Sequence, residues 1–466
     1  MSKPSTWTRR DELLAEAATR ARRYVDEVDT RQVAPSAGAL AGLDRFDEPL
    51  PEQPSDPADT LALLDDAGAS ATVASTGPRY FGFVTGGTLP VALASSWVAA
   101  AWDQNAALPV MSPVADRLHE VTRSWLVQLL DLPASTEAAF VTGATMANAT
   151  ALAAARDKLL ADAGWDAERQ GLYGAPEITV VVGERVHSTV VKALGLIGLG
   201  RERVHRVPAD EQGRMRVDLL PAVDGPVIVC AQAGEVNTGE FDDFPEIESW
   251  ARQHGAWMHV DGAFGLWARA DPTRAHLARG LDRADSWATD AHKWLNVGYD
   301  SGIVLLREAE HLRRAFASVA GYLPPDSGFE AMQHTPQSSQ RARQVEVWAV
   351  LRSLGRAGVA ELVSNGCRQA QRMADLLGRG GLDVVNEVVL NQVLIRAADD
   401  TASNELILAV QADGTCWCGP TTWAGRAAMR VSVSGWNTTD EDADRSAEAI
   451  LRCARRTGAV DAPAGP

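Results

Sequence analysis

The sequence predicts an α/β protein built on a mostly parallel sheet with helices covering both faces. Two observations carry this expectation. Short, nearly continuous apolar runs alternate with helix-like segments through the middle of the chain, as in strands buried on both faces. The residues with evident chemical potential follow directly after those runs, where the carboxyl ends of parallel strands would gather them.

Taken in order, residues 1 to about 40 read as helical. The opening MSKPSTWTRRDELLAEAATRARRYVDEV has amphipathic spacing and lacks the apolar core of a secretion signal. Arg45 to Asp59, with Pro49, Pro51, Pro54 and Pro57, reads as an extended linker. AAFVTG (Ala138 to Gly143) then precedes the helix-like MANATALAAARDKLL. ITVVVG (Ile178 to Gly183) precedes HSTVVKALGLIGLG, and VIVCAQAG (Val227 to Gly234) precedes FPEIESWARQHG. WMHVDGAFG, DSWATDAHKW and SGIVLLR follow as further short apolar runs.

Composition narrows the function classes. A chain of 466 residues can bury a large core and is expected to form a large and a small domain. Its 46% hydrophobic and 23% charged residues are those of an ordinary globular protein. A formal net charge of −17 argues against a nucleic-acid backbone or an anionic membrane as partner, because either favours clustered Lys and Arg. No stretch is long and apolar enough to span a bilayer. The five cysteines (Cys230, Cys367, Cys416, Cys418, Cys453) make no even framework, and Cys416 and Cys418 in GTCWCG have no second ligand cluster. Reduced thiols in a cytoplasmic protein without a metal are therefore expected.

The chemistry centres on Lys293, in SWATDAHKWLNVGYDSG, and Asp261, in WMHVDGAFG. A lysine amine held in place can form a Schiff base with an aldehyde, and an aspartate facing a pyridine nitrogen keeps that ring electron-withdrawing. Together they read as the two ends of a pyridoxal phosphate site. Small residues after Asp261 (Gly262, Ala263, Gly265) let a flat ligand approach the backbone. TGATMANAT opens a helix directly after a strand. Its N–H groups, with the hydroxyls of Thr142 and Thr145 and the small Gly143 and Ala144, suit a phosphate as well as an ordinary helix cap. His187, in ERVHSTVVKAL, can stack on a cofactor ring and act on a substrate proton, or be a satisfied polar residue at a strand end.

RYFGFV (Arg79 to Val84), TGATMANAT, ERVHSTVVKAL, QAGEVNTGEFDDF, HVDGAFG and DAHKWL occur in the order and spacing of the group II pyridoxal-phosphate-dependent amino acid decarboxylases, which the chain resembles from about residue 75 to about residue 450. The resemblance implies the aspartate-aminotransferase type of fold (fold type I). That means an arm and linker over residues 1–75, a large cofactor domain with a mostly parallel seven-stranded sheet over 76–320, and a smaller α+β domain over 321–466. It also implies a homodimer with its sites at the interface. Carried over, Lys293 would hold pyridoxal 5'-phosphate, Asp261 would face the ring nitrogen, and Ala263 would pack opposite a ring-stacking His187. Thr142, Gly143, Ala144, Thr145 and His292 would surround the phosphate. Asp290 departs from the asparagine or serine often found there, and a carboxylate beside a phosphate is costly unless paired.

The activity so implied is decarboxylation of an L-amino acid to the amine and carbon dioxide. Relatives carry a loop tyrosine that reprotonates the product. Here the corresponding stretch, GYLPPDSGFEAMQHTPQSSQRAR, is short and its only tyrosine, Tyr322, comes at its beginning; Phe329 or His334 lies nearer the expected place. Loss of that donor would favour oxidative deamination to an aldehyde, transamination or a carbon–carbon lyase reaction on the same scaffold. Tyr80, Phe81 and Asn105 match positions on the substrate side. Arg430, in AAMRVSVSG, resembles the arginine that grips the substrate carboxylate in aminotransferases of this fold, and a structural role is equally open. Trp417, Trp423 and Trp436 suit either an aromatic pocket or a core.

Overall fold

A computed structural model describes residues 10–318 and 329–460. Its main sheet has seven strands: β1 (Glu137–Val141), β2 (Thr179–Gly183), β3 (Val204–Val207), β4 (Val227–Gln232), β5 (Trp257–Asp261), β6 (Ser286–Asp290) and β7 (Gly302–Leu306). They lie in the order β1-β7-β6-β5-β4-β2-β3. β7 runs antiparallel to both its neighbours, and the other pairings are parallel. The exception has a simple cause. The connection from Ala291 to Ser301 falls short of the roughly dozen or more residues a parallel crossover needs, so the chain must turn straight back. Lys293 sits in that turn.

Helices come in chain order as α1 (Arg10–Val28), α2 (Ala37–Ala41), α3 (Pro57–Gly68), α4 (Pro90–Trp102), α5 (Pro113–Leu129), α6 (Ala144–Asp162), α7 (Ala167–Gln170), α8 (Ser188–Leu196), α9 (Phe244–Gln253), α10 (Glu310–Phe316), α11 (Gln344–Arg379), α12 (Asp400–Asp413) and α13 (Asp440–Arg456). Helix α11 is interrupted at Gly355, whose φ of 61° leaves the helical region. The expected linker from Arg45 to Asp59 ends earlier, because Asp56 caps the Ala58 N–H at 2.9 Å and Pro57 fits the first turn of α3. A second sheet, all antiparallel, holds β8 (Asp383–Val384), β9 (Gln392–Arg396), β10 (Gly419–Trp423) and β11 (Arg426–Ser432) in the order β10-β11-β9-β8. Phe81 joins this sheet's edge: its N–H donates to the Trp417 carbonyl and its own carbonyl accepts from Ser432.

Helix α6 lies across the middle of the main sheet. Ala147, Ala151, Ala154 and Ala155 are fully buried, and such small side chains let the helix seat closely on β6 and β7. One polar bridge pins it. His259 on β5 is wholly buried, with Nδ1 2.9 Å from Ser286 Oγ on β6 and Nε2 2.8 Å from Asn148 Oδ1 on α6. Burial pushes this imidazole from its usual 6.5 down to about 3, so it is neutral in the folded chain.

Between those two values the unfolded chain binds more protons than the folded one, so the His259 contribution is complete above pH 6.5 and lost as pH falls toward 3. Wild-type stability should therefore drop relative to His259→Asn by about 1.4 kcal/mol per pH unit through the middle of that window. Urea unfolding at stepped pH measures the difference; parallel curves for the two proteins would contradict it.

Candidate active site

Parallel pairing among β2, β4, β5 and β6, with the two antiparallel pairings of β7 restoring the direction at β1, brings the carboxyl ends of β1, β2, β4, β5 and β6 to one edge. Thr142 and Gly143 follow β1, His187 follows β2, Glu235 follows β4, and Asp261 and Asp290 end β5 and β6. Asp261 shares a face of β5 with His259, two residues earlier, which turns it toward α6. Its Oδ1 accepts the Ala263 N–H at 3.2 Å, while Oδ2 is buried with no partner among the described residues. An unpartnered buried carboxylate oxygen is costly, and the N–H of a protonated ring nitrogen would satisfy it.

Asp290 stands on the neighbouring strand and gathers three groups. Oδ1 accepts the Ala144 N–H of α6 at 2.5 Å, Oδ2 lies 3.0 Å from Lys293 Nζ, and Oδ1 is 3.5 Å from His292 Nε2. The paired state answers the cost of a bare carboxylate there. Trp267 fixes the end of β6 by donating Nε1–H to the Asp290 carbonyl at 3.0 Å. His292 is held from its other side, Nδ1 accepting the Ser301 N–H at 3.2 Å, and burial lowers its pKa against the opposing pull of Asp290. The first turn of α6 supplies N–H groups without helical acceptors, and the half-buried hydroxyls of Thr142 and Thr145 have no partner among the described residues. Gly143 is tightly packed: a Cβ there would stand 3.2 Å from the His292 ring and 3.4 Å from Asp290 Oδ1.

His187 caps α8. Its Nδ1 accepts the Thr189 N–H at 3.3 Å and lies 2.7 Å from Thr189 Oγ1, an arrangement that leaves the proton on Nε2. Burial lowers its pKa; Asp261 and Asp290 oppose that shift, and the cations Lys293 and Arg430 add to it. The ring is thus neutral at pH 7, within reach of four charged groups of one cleft.

Two residues that sequence reasoning missed shape the lysine turn. A Cβ on Gly86 would lie 1.8 Å from the Lys293 carbonyl oxygen, so the segment Gly86–Leu89 runs directly against the turn. Asn296, buried at φ 55°, accepts the Gly87 N–H at 2.7 Å and the Trp436 N–H at 3.0 Å, and donates to the Trp294 and Ser434 carbonyls. It ties the turn to both sheets. The pair Gly86-Gly87 was the available signal, as a demand for close backbone approach.

A family model for the pyridoxal-dependent decarboxylase conserved domain matches residues 45–397. The chain belongs to this family. Its cofactor is pyridoxal phosphate and its reaction class is amino acid decarboxylation. It is 26% identical to an aromatic-L-amino-acid decarboxylase of Bacillus atrophaeus over 90% of both chains. It is 28% identical to an L-2,4-diaminobutyrate decarboxylase of Rhizobium meliloti over 76% of this chain and 72% of that one. The crystal structure of Oryza sativa TDC with PLP and tryptamine superposes with a TM-score of 0.88 at 21% identity, covering 98% of this chain and 99% of that one; it establishes the fold.

The decarboxylase fold places the remaining candidates unevenly. Arg430, on β11, reaches the loop after β4, donating Nη1–H to the Val236 carbonyl at 3.2 Å; burial lowers its pKa and Glu235 opposes. The Tyr80 ring stacks on Trp417 at 5.2 Å, and burial raises its phenol pKa, with Tyr299 adding to the rise. Phe81 is corrected: its ring is fully buried in the core of the second sheet, where its backbone pairs with Trp417 and Ser432. Asn105 spends its Oδ1 on the N–H groups of Ala107 and Gln340, at 3.0 and 3.2 Å, clasping two loops. Tyr322 lies outside the described residues. Phe329 is sandwiched between His119 (3.6 Å) and His334 (4.3 Å), and His119 bonds Glu137 at the start of β1. That is the strand end opposite Gly143, so within one chain neither Phe329 nor His334 stands beside Lys293.

Gly86→Ala should push the Lys293 backbone aside and lower turnover about a hundredfold, as expected when reacting groups are displaced by an ångström. Bound-cofactor absorbance per subunit and steady-state rates check this; full occupancy with undiminished rate would show that the turn yields.

Proposed function

We propose that the cleft at the edge of β5 and β6 removes the α-carboxylate of an L-amino acid, with Lys293 Nζ as the amine that carries pyridoxal phosphate. One observation supports this most strongly: Lys293 Nζ is held at 3.0 Å by Asp290 while Asp261, on the adjacent strand, keeps an unpartnered oxygen. When bound, pyridoxal phosphate supplies an electron sink for the bond broken at Cα. Asp261 would accept the N–H hydrogen bond of the protonated ring nitrogen and hold that proton on the ring. The α6 turn from Thr142 to Thr145, with His292, receives the phosphate, and Ala263 bounds the ring pocket. His187, neutral and carrying its proton on Nε2, donates a hydrogen bond to the substrate side without adding a charge. Lys293 Nζ is placed to deliver a proton to Cα after carbon dioxide leaves. Tyr80, Arg430 and, across the subunit boundary, Asn105 form the substrate side.

We propose further that the enzyme is a homodimer with its sites at the interface. The α4 sequence PVALASSWVAAAW has no charged residue, yet Trp97, Val98 and Trp102 are exposed on it, and Val110, Met111 and Val114 are exposed just beyond. A second copy of the chain would cover them. Five buried, unpaired thiols and the lack, among the described residues, of a helix able to cross a membrane accord with a cytoplasmic place.

The function is tested by incubating the cofactor-loaded enzyme with each common L-amino acid while recording carbon dioxide, amine, ammonia, peroxide and keto-acid release. Carbon dioxide with the matching amine is expected, and Lys293→Ala should abolish it. Peroxide and ammonia with an aldehyde would move the reaction to oxidative deamination. For the assembly, sedimentation should give a dimer that Trp102→Lys weakens; a monomeric wild type with full activity would refute the shared site.

A further inference from the structure

Asp290 uses its two oxygens on groups that the cofactor itself requires. The Ala144 N–H is the first donor of the α6 turn proposed to take the phosphate, and Lys293 Nζ is the amine proposed to take the aldehyde carbon. Gly143 lies against the same carboxylate, with a virtual Cβ 3.4 Å from Oδ1, so the anion sits inside the cradle and not at its rim. Asp290 is also buried, which leaves little water to screen it. Two anions at one helix terminus repel strongly when desolvated, whereas each alone is favoured there.

We propose that Asp290 competes with the cofactor's phosphate for the α6 terminus and with its aldehyde for Lys293, so that this internal carboxylate sets how tightly the enzyme retains pyridoxal phosphate. The groups facing Asp290 from the packed elements are the charged Lys293 and the titratable His292 in the turn after β6, and the titratable His187 ahead of α8; the backbone N–H of α6 completes the set. Exchange of the carboxylate for a neutral acceptor removes the repulsion and keeps a hydrogen bond to Ala144. Asp290 acts through Lys293 and the helix terminus, as a positioning residue.

The inference rests on the assignment of this cleft as the cofactor site. The experiment takes purified holoenzyme, wild type and Asp290→Asn, measures cofactor release on dilution, and then rebinding of pyridoxal phosphate and of pyridoxal to the resolved proteins by absorbance. Asp290→Asn is expected to bind pyridoxal phosphate about tenfold tighter, equivalent to about 1.4 kcal/mol. Pyridoxal, which lacks the phosphate, should gain less. A merely structural role would weaken both ligands together or change neither. Weaker or unchanged phosphate-ester binding, or equal gains for the two, overturns the proposal. If Asp290→Asn does not fold, Asp290→Ser, which also removes the charge and keeps an acceptor, is read by the same criteria. Failure of the wild type to bind pyridoxal phosphate at all would instead refute the assignment of the cleft.

Discussion

The carboxylate of Asp290 is the junction on which the site depends. Strand β6 delivers it, the tight return into β7 brings Lys293 back to it, and helix α6 offers it an N–H from the other side. None of the three elements is adjacent in sequence to all the others. What makes the junction possible is the short connection after Asp290, which forces β7 antiparallel inside an otherwise parallel sheet and keeps the lysine at the strand edge. The close approaches at Gly86, Gly143 and Gly302 then let backbone pass where side chains would collide.

Burial supplies the second half of the arrangement. It lowers the pKa of both His187 and His292, so neither imidazole adds positive charge to a cleft that already holds Lys293 and Arg430. Asp261 and Asp290 answer the cations, and the remaining unpartnered oxygen of Asp261 is the clearest mark of a ligand group supplied from outside the chain.

The motifs that follow strands were legible because their spacing is local: Gly143 after AAFVT, His187 after ITVVVG and Asp261 at the end of WMHVD each needed only a run of apolar residues and its boundary. Phe81 and Asn105 were harder. Phe81 is buried where its backbone pairs with Trp417 and Ser432, more than three hundred residues away. Asn105 lies in a loop whose partner, Gln340, belongs to another segment of the chain. Phe329 and His334 lay near the expected place in sequence, yet ring stacking on His119 carries them to the far end of β1.

By itself the sequence determined the α/β architecture, the family and the cofactor, and it singled out Lys293 and Asp261 as candidates, because periodicity and short motifs encode what happens within one strand–turn–helix unit. Only the tertiary structure decided what Asp290 touches, which oxygen of Asp261 is left over, and which aromatic residues face the cleft and which the core. Those outcomes depend on strand order and on distances of a few ångströms between segments far apart in the chain, and hydrogen bonding and charge interactions at that range are set by packing and not by spacing along the sequence.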